Sequence, residues 1–231
     1  MTIRIFLFVI LISLFVAVPA SAVSPEIQKL VGRAFSEKNT TDIEEILKKA
    51  VDRAKDPADK KYVYTVLASL NERSGNPAVA GTQYREAALA ISGLRDDSLY
   101  LDAVRCLLAS NDTEQAGAMV REVLLSSFDE RILIRARVYS AWIQLASGER
   151  DQALQLLRSY AANTQFEPFI PAVLFTLWWS AGDLAAVQTL ESRYPASPEA
   201  AVVRGEVSAS PSSFWYLMTR DGMPVFALAD K

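Results

Sequence analysis

The sequence predicts an all-α protein, an α-α superhelix of about five helix pairs with a capping helix and a short C-terminal tail. A glycine or asparagine that closes a helical stretch recurs at intervals of 34 to 37 residues. Between these points apolar residues recur three and four apart, the spacing of an amphipathic helix. No segment before the tail shows the alternation typical of a strand. A helical repeat array accounts for all three observations.

Residues 1–22 predict a secretory signal peptide. Arg4 supplies a positive charge, residues 5–18 are apolar apart from one serine, and residues 20–22 form a small-x-small cleavage site. We expect cleavage after Ala22, export to a bacterial periplasm or envelope, and no membrane insertion after cleavage. The alternative is a retained membrane anchor, but the apolar run is shorter than the about 20 residues that a spanning helix needs.

Residues 23–209 predict the helical repeat domain. Its turn residues are Asn39, Gly75, Asn111, Gly148 and Gly182. Glycine and asparagine tolerate a positive φ at the end of a helix better than other residues. An apolar residue of the next amphipathic stretch lies five positions after each turn residue except the first, at Ala80, Ala116, Ala153 and Val187. One helix pair cannot bury its apolar face alone, so consecutive pairs are expected to stack.

Several acidic and hydroxyl residues are expected to cap these helices. The candidates are Thr41 or Asp42, Asp112 or Thr113, Asp151, and Asp183. Asp96 and Asp97 precede a helix that is predicted to begin near Ser98. The positive end of the helix dipole stabilises a negative charge at that position. A final amphipathic helix over residues 198–209 is expected to cap the open end of the array.

The segment from residue 64 to residue 87 resembles a tetratricopeptide repeat. Its matching residues are Tyr64, Leu67 and Ala68 in the first helix, Gly75 in the turn, and Ala80, Tyr84 and Ala87 in the second helix. The resemblance extends over about residues 24–209, although three of the four turn spacings exceed the 34 residues of that family. The unit that turns at Gly148 fits with its first helix shifted by one residue. Other helix-pair solenoids are the alternative.

The resemblance implies a concave groove that is lined by the first helix of each pair and binds a protein or peptide partner. The residues that it places near this groove are Tyr62, Thr65, Ser69, Ser98, Asp102, Arg105, Arg135, Tyr139, Trp142, Thr176 and Trp179. Arg105 and Arg135 are suited to bidentate recognition of a carboxylate. Tyrosine and tryptophan supply rigid contact area. The alternative for each residue is packing between repeats or a solvated surface.

The composition favours a non-catalytic scaffold without a metal or cofactor. The chain has no histidine, the commonest general base and metal ligand. Its single cysteine, Cys106, lies in an apolar stretch and is expected to be buried and structural. No zinc, calcium or phosphate-loop motif is present. The formal net charge is −3 and no basic run occurs, so nucleic acid is not an expected partner.

Residues 210–231 form a C-terminal tail behind a Ser/Pro linker. Two apolar runs flank Asp221 and Gly222, so the tail is expected to form a hairpin or to fold back on the last helices. It serves either packing or partner docking. Two other functions stay open at this point: a ligand- or lipid-binding accessory protein of the envelope, and a carboxylate-based cell-wall glycan enzyme.

Overall fold

The computed structural model of the chain describes residues 23–206, and every regular element in that range is helical. The predicted signal peptide, the C-terminal tail and residues 207–209 lie outside the described residues. The described part contains a 3₁₀ helix over Thr164–Phe169 and eleven α-helices. These are α1 Pro25–Ala34, α2 Thr40–Arg53, α3 Pro57–Arg73, α4 Pro77–Leu89, α5 Asp97–Ala109, α6 Thr113–Ser126, α7 Glu130–Ala146, α8 Arg150–Ala161, α9 Ile170–Ala181, α10 Leu184–Arg193 and α11 Pro198–Val203.

The helices pack as consecutive neighbours, in the pairs α1–α2, α3–α4, α5–α6, α7–α8 and α9–α10. The first helix of one pair also contacts the first helix of another, as α5 does with α7 and α1 with α3. Helix α11 packs on α9 and α10, and the 3₁₀ helix contacts α7, α8 and α9. The all-helical prediction and the pairing of neighbouring helices are confirmed.

Three of the predicted turn residues have the same backbone geometry. Gly75, Asn111 and Gly148 have φ angles of 78°, 61° and 92°, the left-handed region. In each turn the N–H of the following residue donates to the carbonyl five residues before it, as Asn76 does to Asn71 at 2.8 Å. This is the Schellman arrangement, which satisfies carbonyls at a helix end. The three bends are therefore equivalent, as the spacing predicts.

The first and last turns differ from these three. Gly182 is left-handed, with φ 67°, but its own N–H donates to the Trp178 carbonyl at 2.8 Å, which is the simpler αL closure of a helix end. In α10 the buried position falls four residues after the turn residue, at Ala186, and Val187 is only half-buried. Asn39 has φ −102° and caps the N-terminus of α2. The expectation that Asn39 is the left-handed turn residue is wrong, because residues 35–38 make a longer connection there.

The capping predictions hold for Asp96, Asp112 and Asp183. Each accepts a hydrogen bond from the backbone N–H three residues on, at 3.0 to 3.2 Å. The predicted caps Thr41 or Asp42 and Asp151 are wrong, because those residues lie inside helices. Asn39 and Glu149 occupy the N-cap positions instead.

The final helix is shorter than predicted. Helix α11 ends at Val203, because Gly205 has φ 72° and the Glu206 N–H bonds back to the Ala201 carbonyl at 2.9 Å. This is another Schellman closure. The expectation of a continuous helix through residues 198–209 is corrected on this ground.

The buried apolar residues form two clusters that meet within α3. The N-terminal core cluster runs from Val23 to Leu67 and includes Val63. The larger cluster starts at Ala68 and continues to Ala200 in α11. Leu67 and Ala68 belong to different clusters. Helix α3 therefore has two apolar sides, one packed in each cluster. It joins the first pair to the rest of the chain.

Helices α4 and α5 approach closely at Gly81. A Cβ added to Gly81 would lie 3.3 Å from the Cys106 Cβ and 3.4 Å from the Ala103 carbonyl oxygen. Cys106 is buried, and burial raises the pKa of its thiol to about 11. A buried thiol with a raised pKa is a poor nucleophile. The prediction of a buried Cys106 is confirmed.

Within residues 23–206, no helix combines the length and the apolar character needed to cross a membrane.

Candidate functional site

The predicted groove residues occupy equivalent positions in successive pairs. Ser69, Arg105, Trp142 and Thr176 each stand six residues before the turn residue of their pair. Ser98 and Arg135 each stand thirteen residues before theirs. These side chains therefore lie at equivalent positions along the first helices α3, α5, α7 and α9.

Glu72 and Arg105 join α3 to α5. The Arg105 guanidinium contacts both carboxylate oxygens of Glu72, with Nη2 to Oε2 at 2.9 Å. The Tyr84 hydroxyl of α4 also donates to Glu72, at 3.2 Å. The side chains of Glu72 and Arg105 are 15% and 26% exposed. The pair is therefore largely shielded but still reaches solvent.

Asp102 and Arg135 join α5 to α7. Arg135 Nη2 donates to Asp102 Oδ1 at 2.5 Å, and Arg135 Nη1 donates to the Ser98 carbonyl at 3.2 Å. Arg105 Nη2 lies 3.6 Å from the same Asp102 oxygen. Asp102 thus connects the two arginines, and the four charges of Glu72, Arg105, Asp102 and Arg135 cancel.

Tyr139, Trp142 and Thr176 continue this line from α7 to α9. Arg135 Nε donates to the Tyr139 hydroxyl at 3.1 Å, and the Tyr139 and Trp142 rings stack with centroids 5.6 Å apart. Trp142 Nε1 donates to Thr176 Oγ1 at 3.1 Å. We call the connected set the first-helix ladder; its members are Glu72, Arg105, Asp102, Arg135, Tyr139, Trp142 and Thr176.

Burial and charge act in opposite directions on the ladder's ionisable groups. Burial raises the pKa of Asp102 above its ordinary value, and the Arg135 charge offsets only part of that effect. Burial alone would lower the pKa of Arg135, but Tyr139 and Asp102 hold it above its ordinary value. Burial, with Asp102 nearby, also raises the pKa of Tyr84. Arg135 therefore stays charged, and its charge favours the ionised form of Asp102.

The ladder has a partly exposed end and a buried end. Tyr139, Trp142 and Thr176 are buried, so their side chains pack between helices and offer little surface to a partner. Glu72, Asp102, Arg105 and Arg135 keep some exposure, and Ser98 is exposed beside them. The surface available to a partner is narrower than the sequence-predicted set, because tertiary packing covers its aromatic part.

The remaining sequence-predicted residues flank the ladder or lie apart from it. Thr65 and Ser69 are half-buried on α3, and Ser69 is close enough to the Tyr84 hydroxyl to hydrogen bond with it. Tyr62 packs against the N-terminal core cluster, and burial raises the pKa of its hydroxyl. Trp179 stacks on Phe175 at 5.8 Å, within an aromatic group that includes Trp178.

Sequence reasoning missed Glu72 and Tyr84 as members of this network. A signal for Glu72 was present, because residues 62, 65, 69 and 72 follow one helical stripe. Tyr84 offered a weaker signal, since its position in the second helix suggests core packing alone. Its phenol ring does lie in the core, while its hydroxyl reaches Glu72.

The arrangement is suited to binding a polar partner and to holding neighbouring helices together. Carboxylate catalysis needs one acid or base that is free to exchange a proton with substrate, whereas Glu72 and Asp102 are both held by arginine. Within the described range, no group of three or more metal-ligating side chains is gathered in one place. Partly exposed guanidiniums are, in contrast, good donors to backbone carbonyls and carboxylates.

The fold and this site define an all-helical protein built of neighbouring helix pairs, with a polar network that crosses their first helices. A family model described as "TP_0752_M: middle domain" matches residues 145–228, which begin at the end of α7. The match takes in less than half of the chain.

A protein of Treponema pallidum (strain Nichols) is 28% identical to this chain over 213 residues. The alignment covers 89% of the chain and 56% of the relative, so the chain spans little more than half of that protein's length. The relative's name, "Uncharacterized protein", assigns it no activity. No solved structure matches the chain.

Proposed function

We propose that the chain is an exported, non-catalytic scaffold with a tetratricopeptide-like superhelix, which binds a protein or peptide partner in the bacterial periplasm or envelope. The partner lies along the surface formed by the first helices α3, α5 and α7. One observation carries the proposal: partly exposed polar and charged side chains follow one line across three consecutive pairs. Solenoids generally bind partners on such extended surfaces.

The chemistry of the ladder suggests what the partner presents. The side chains of Arg105 and Arg135 are 26% and 17% exposed next to the carboxylates they hold, so a carbonyl or carboxylate of an extended segment meets guanidinium groups there. Thr65, Ser69 and Ser98 add hydroxyl groups on the same surface. Because the charges are balanced, specificity comes from hydrogen-bond geometry rather than from net charge.

The experiment begins by identifying the partner. The mature chain, residues 23–231, is used to capture proteins from an envelope extract, and the captured protein is identified by mass spectrometry. Its affinity is then measured for wild type and for Thr65→Lys. We expect binding to weaken by about tenfold, because a long cation then projects onto the proposed surface.

Thr82→Lys is the matched control. Thr65 and Thr82 each donate their hydroxyl to the carbonyl four residues earlier, at 2.7 Å and 3.2 Å, but Thr82 lies on the second helix α4. The control should bind like wild type. Equal affinities for wild type and both variants, with unchanged helicity, would remove the proposed surface.

A further inference from the structure

The first described residues of the chain are fixed in place by α1 and α3. Val23 is 7% exposed and belongs to the N-terminal core cluster. Its carbonyl accepts a hydrogen bond from Gln28 Nε2 at 3.0 Å. The Ser24 N–H donates to Asp59 Oδ1 at 2.7 Å, and the Ser24 side chain caps α1. The backbone of Val23 and Ser24, which directly follow the predicted cleavage site, is therefore held in place by these contacts.

Asp59 is a buried carboxylate beside the first described residues of the chain. It is 3% exposed and lies in the first turn of α3, where the helix dipole partly favours its charge. Within residues 23–206 no lysine or arginine forms an ion pair with it. The charged side chains nearest to it in sequence on α1 and α3 are all exposed: Glu26, Lys29, Asp56 and Lys60.

A buried carboxylate of this kind is costly without a cation. Desolvation of an ionised group costs several kcal/mol unless an opposite charge and hydrogen bonds compensate. The Ser24 N–H supplies one hydrogen bond. Consecutive backbone nitrogens lie roughly 3–4 Å apart, so the nitrogen of Val23 is the next nitrogen along the chain.

We infer that Asp59 is the receptor for the N-terminus created by cleavage after Ala22. Hydrolysis adds one water molecule across the Ala22–Val23 peptide bond, which leaves a carboxylate on Ala22 and an amine on Val23. The amine takes up a proton at neutral pH. The resulting α-ammonium supplies a cation that Asp59 does not receive from the other described residues, and the cleaved chain is more stable than a chain extended at Val23.

The inference rests on the proposed export and cleavage, and it assigns a role to the cleavage product itself. N-terminal amines are known to be captured by dedicated polar sites in proteins. Here the site consists of one buried carboxylate, a carbonyl fixed by Gln28 and an apolar pocket around the Val23 side chain.

The test is a double-mutant cycle on purified protein. One form begins at Val23, and the other carries Ser21 and Ala22 as an extension, which moves the amine two residues away. Each is made with Asp59 and with Asp59→Asn, which keeps an oxygen acceptor for the Ser24 N–H but removes the charge. In the wild-type background we expect the extension to lower the folding equilibrium constant by about tenfold.

In the D59N background the extension should change that constant by less than about twofold. An equal effect of the extension in both backgrounds would overturn the inference. If D59N does not fold, N-α-acetylation of the Val23 form replaces it as the second arm. Acetylation removes the charge at Val23, and a stability equal to that of the unmodified form would overturn the inference too.

The proposed processing is tested separately by the mass of the protein recovered from the envelope fraction. A mass that begins at Val23 supports cleavage after Ala22. A different N-terminus would contradict the proposed cleavage site, while the double-mutant cycle on the Val23 form reports on Asp59 alone.

Discussion

Arg105 and Arg135 each form an ion pair with a carboxylate from another helix of the first-helix ladder. Arg105 contacts Glu72 of the preceding pair, and Arg135 contacts Asp102 of the preceding pair. Removing one partner of a shielded ion pair leaves the other without compensation, which costs more than removing both. Single alanine changes at the arginines therefore disturb the fold as well as any binding surface.

The expected size of this effect can be measured by chemical denaturation. Arg105→Ala should lower the free energy of unfolding by about 2 kcal/mol, less than for a fully buried pair because Glu72 and Arg105 keep some exposure. The double change Glu72→Gln with Arg105→Gln should cost clearly less than Arg105→Ala alone. A double variant as unstable as the sum of its single variants would show that the two side chains do not interact.

Lys61 and Asp96 form a second link between α3 and α5, and this link gives a pH dependence. Burial raises the pKa of Asp96, but the hydrogen bonds from Lys61 and the Leu99 N–H outweigh it, so the pKa lies below its ordinary value of 3.8. The Lys61 Nζ to Asp96 Oδ2 distance is 2.7 Å. A lowered pKa of an acid stabilises the fold above the unfolded-state pKa, and this stabilisation is lost as the pH falls through the folded-state value.

Asp96→Asn tests this link, because asparagine still caps a helix but carries no charge. The variant should be about 1 kcal/mol less stable than wild type at pH 7. The difference should shrink as the pH falls below 3.8. Thermal unfolding at several pH values measures it, and a difference that stays constant down to pH 2 would contradict the ion-pair account.

The sequence predicted which side chains share the first-helix surface but not that they bind one another. Asp102 and Arg135 lie 33 residues apart, and both were placed on that surface by their positions in the repeat. Whether they meet depends on the rotation of α5 relative to α7. That rotation is set by packing of the whole interface, so no local pattern contains it. Whether Tyr139 and Trp142 line the groove or pack between repeats was left open for the same reason.

At the scale of the helix, local chemistry decides where the elements begin and end. Proline stands in the first turn of α1, α3, α4, α9 and α11, where its missing N–H costs nothing. The turn residues Gly75, Asn111 and Gly148 could be predicted because a left-handed φ is a property of one residue. The turn before Asn39 could not, because several residues share its geometry and none carries a distinct signature.

Gly81 and Gly32 provide a matched pair of tests for packing between elements. Gly32 lies in α1, is exposed, and has open space where a Cβ would be, whereas Gly81 faces Cys106 and Ala103. Gly32→Ala should stabilise the protein by up to about 1 kcal/mol, through helix propensity alone. Gly81→Leu should destabilise it by about 3 kcal/mol, because its side chain forces α4 away from α5.

Denaturant titration of both variants measures these changes. If Gly81→Leu were as stable as wild type, the close approach of α4 and α5 would be wrong. The second and third pairs would then not be joined by this interface.

At the scale of the whole molecule, every junction between consecutive pairs has a polar link. Asp59 binds the start of the first pair, Lys61 and Glu72 link the second to the third, and Arg135 links the third to the fourth. Trp142 with Thr176 links the fourth to the fifth. Apolar cores bury the pairs against each other, and these links fix the relative position of their first helices.

The same arrangement accounts for the proposed function. The repeat spacing places equivalent residues at the same position along each first helix. Side chains from separate pairs therefore form one line on the surface. A scaffold that binds an extended partner needs such a surface on rigid elements. The second helices, which present Thr82 and Ala118 to solvent, supply no comparable line of charged contacts among the described residues.

Site-specific photo-crosslinking in the native envelope tests the central claim most directly. A photoreactive residue is placed at Thr65 or Ser98 on the first helices, and at Thr82 or Ala118 on the second helices as controls. The account predicts one crosslinked partner from both first-helix positions and none from the controls. Crosslinks to that partner from Thr82 and Ala118 alone would contradict it.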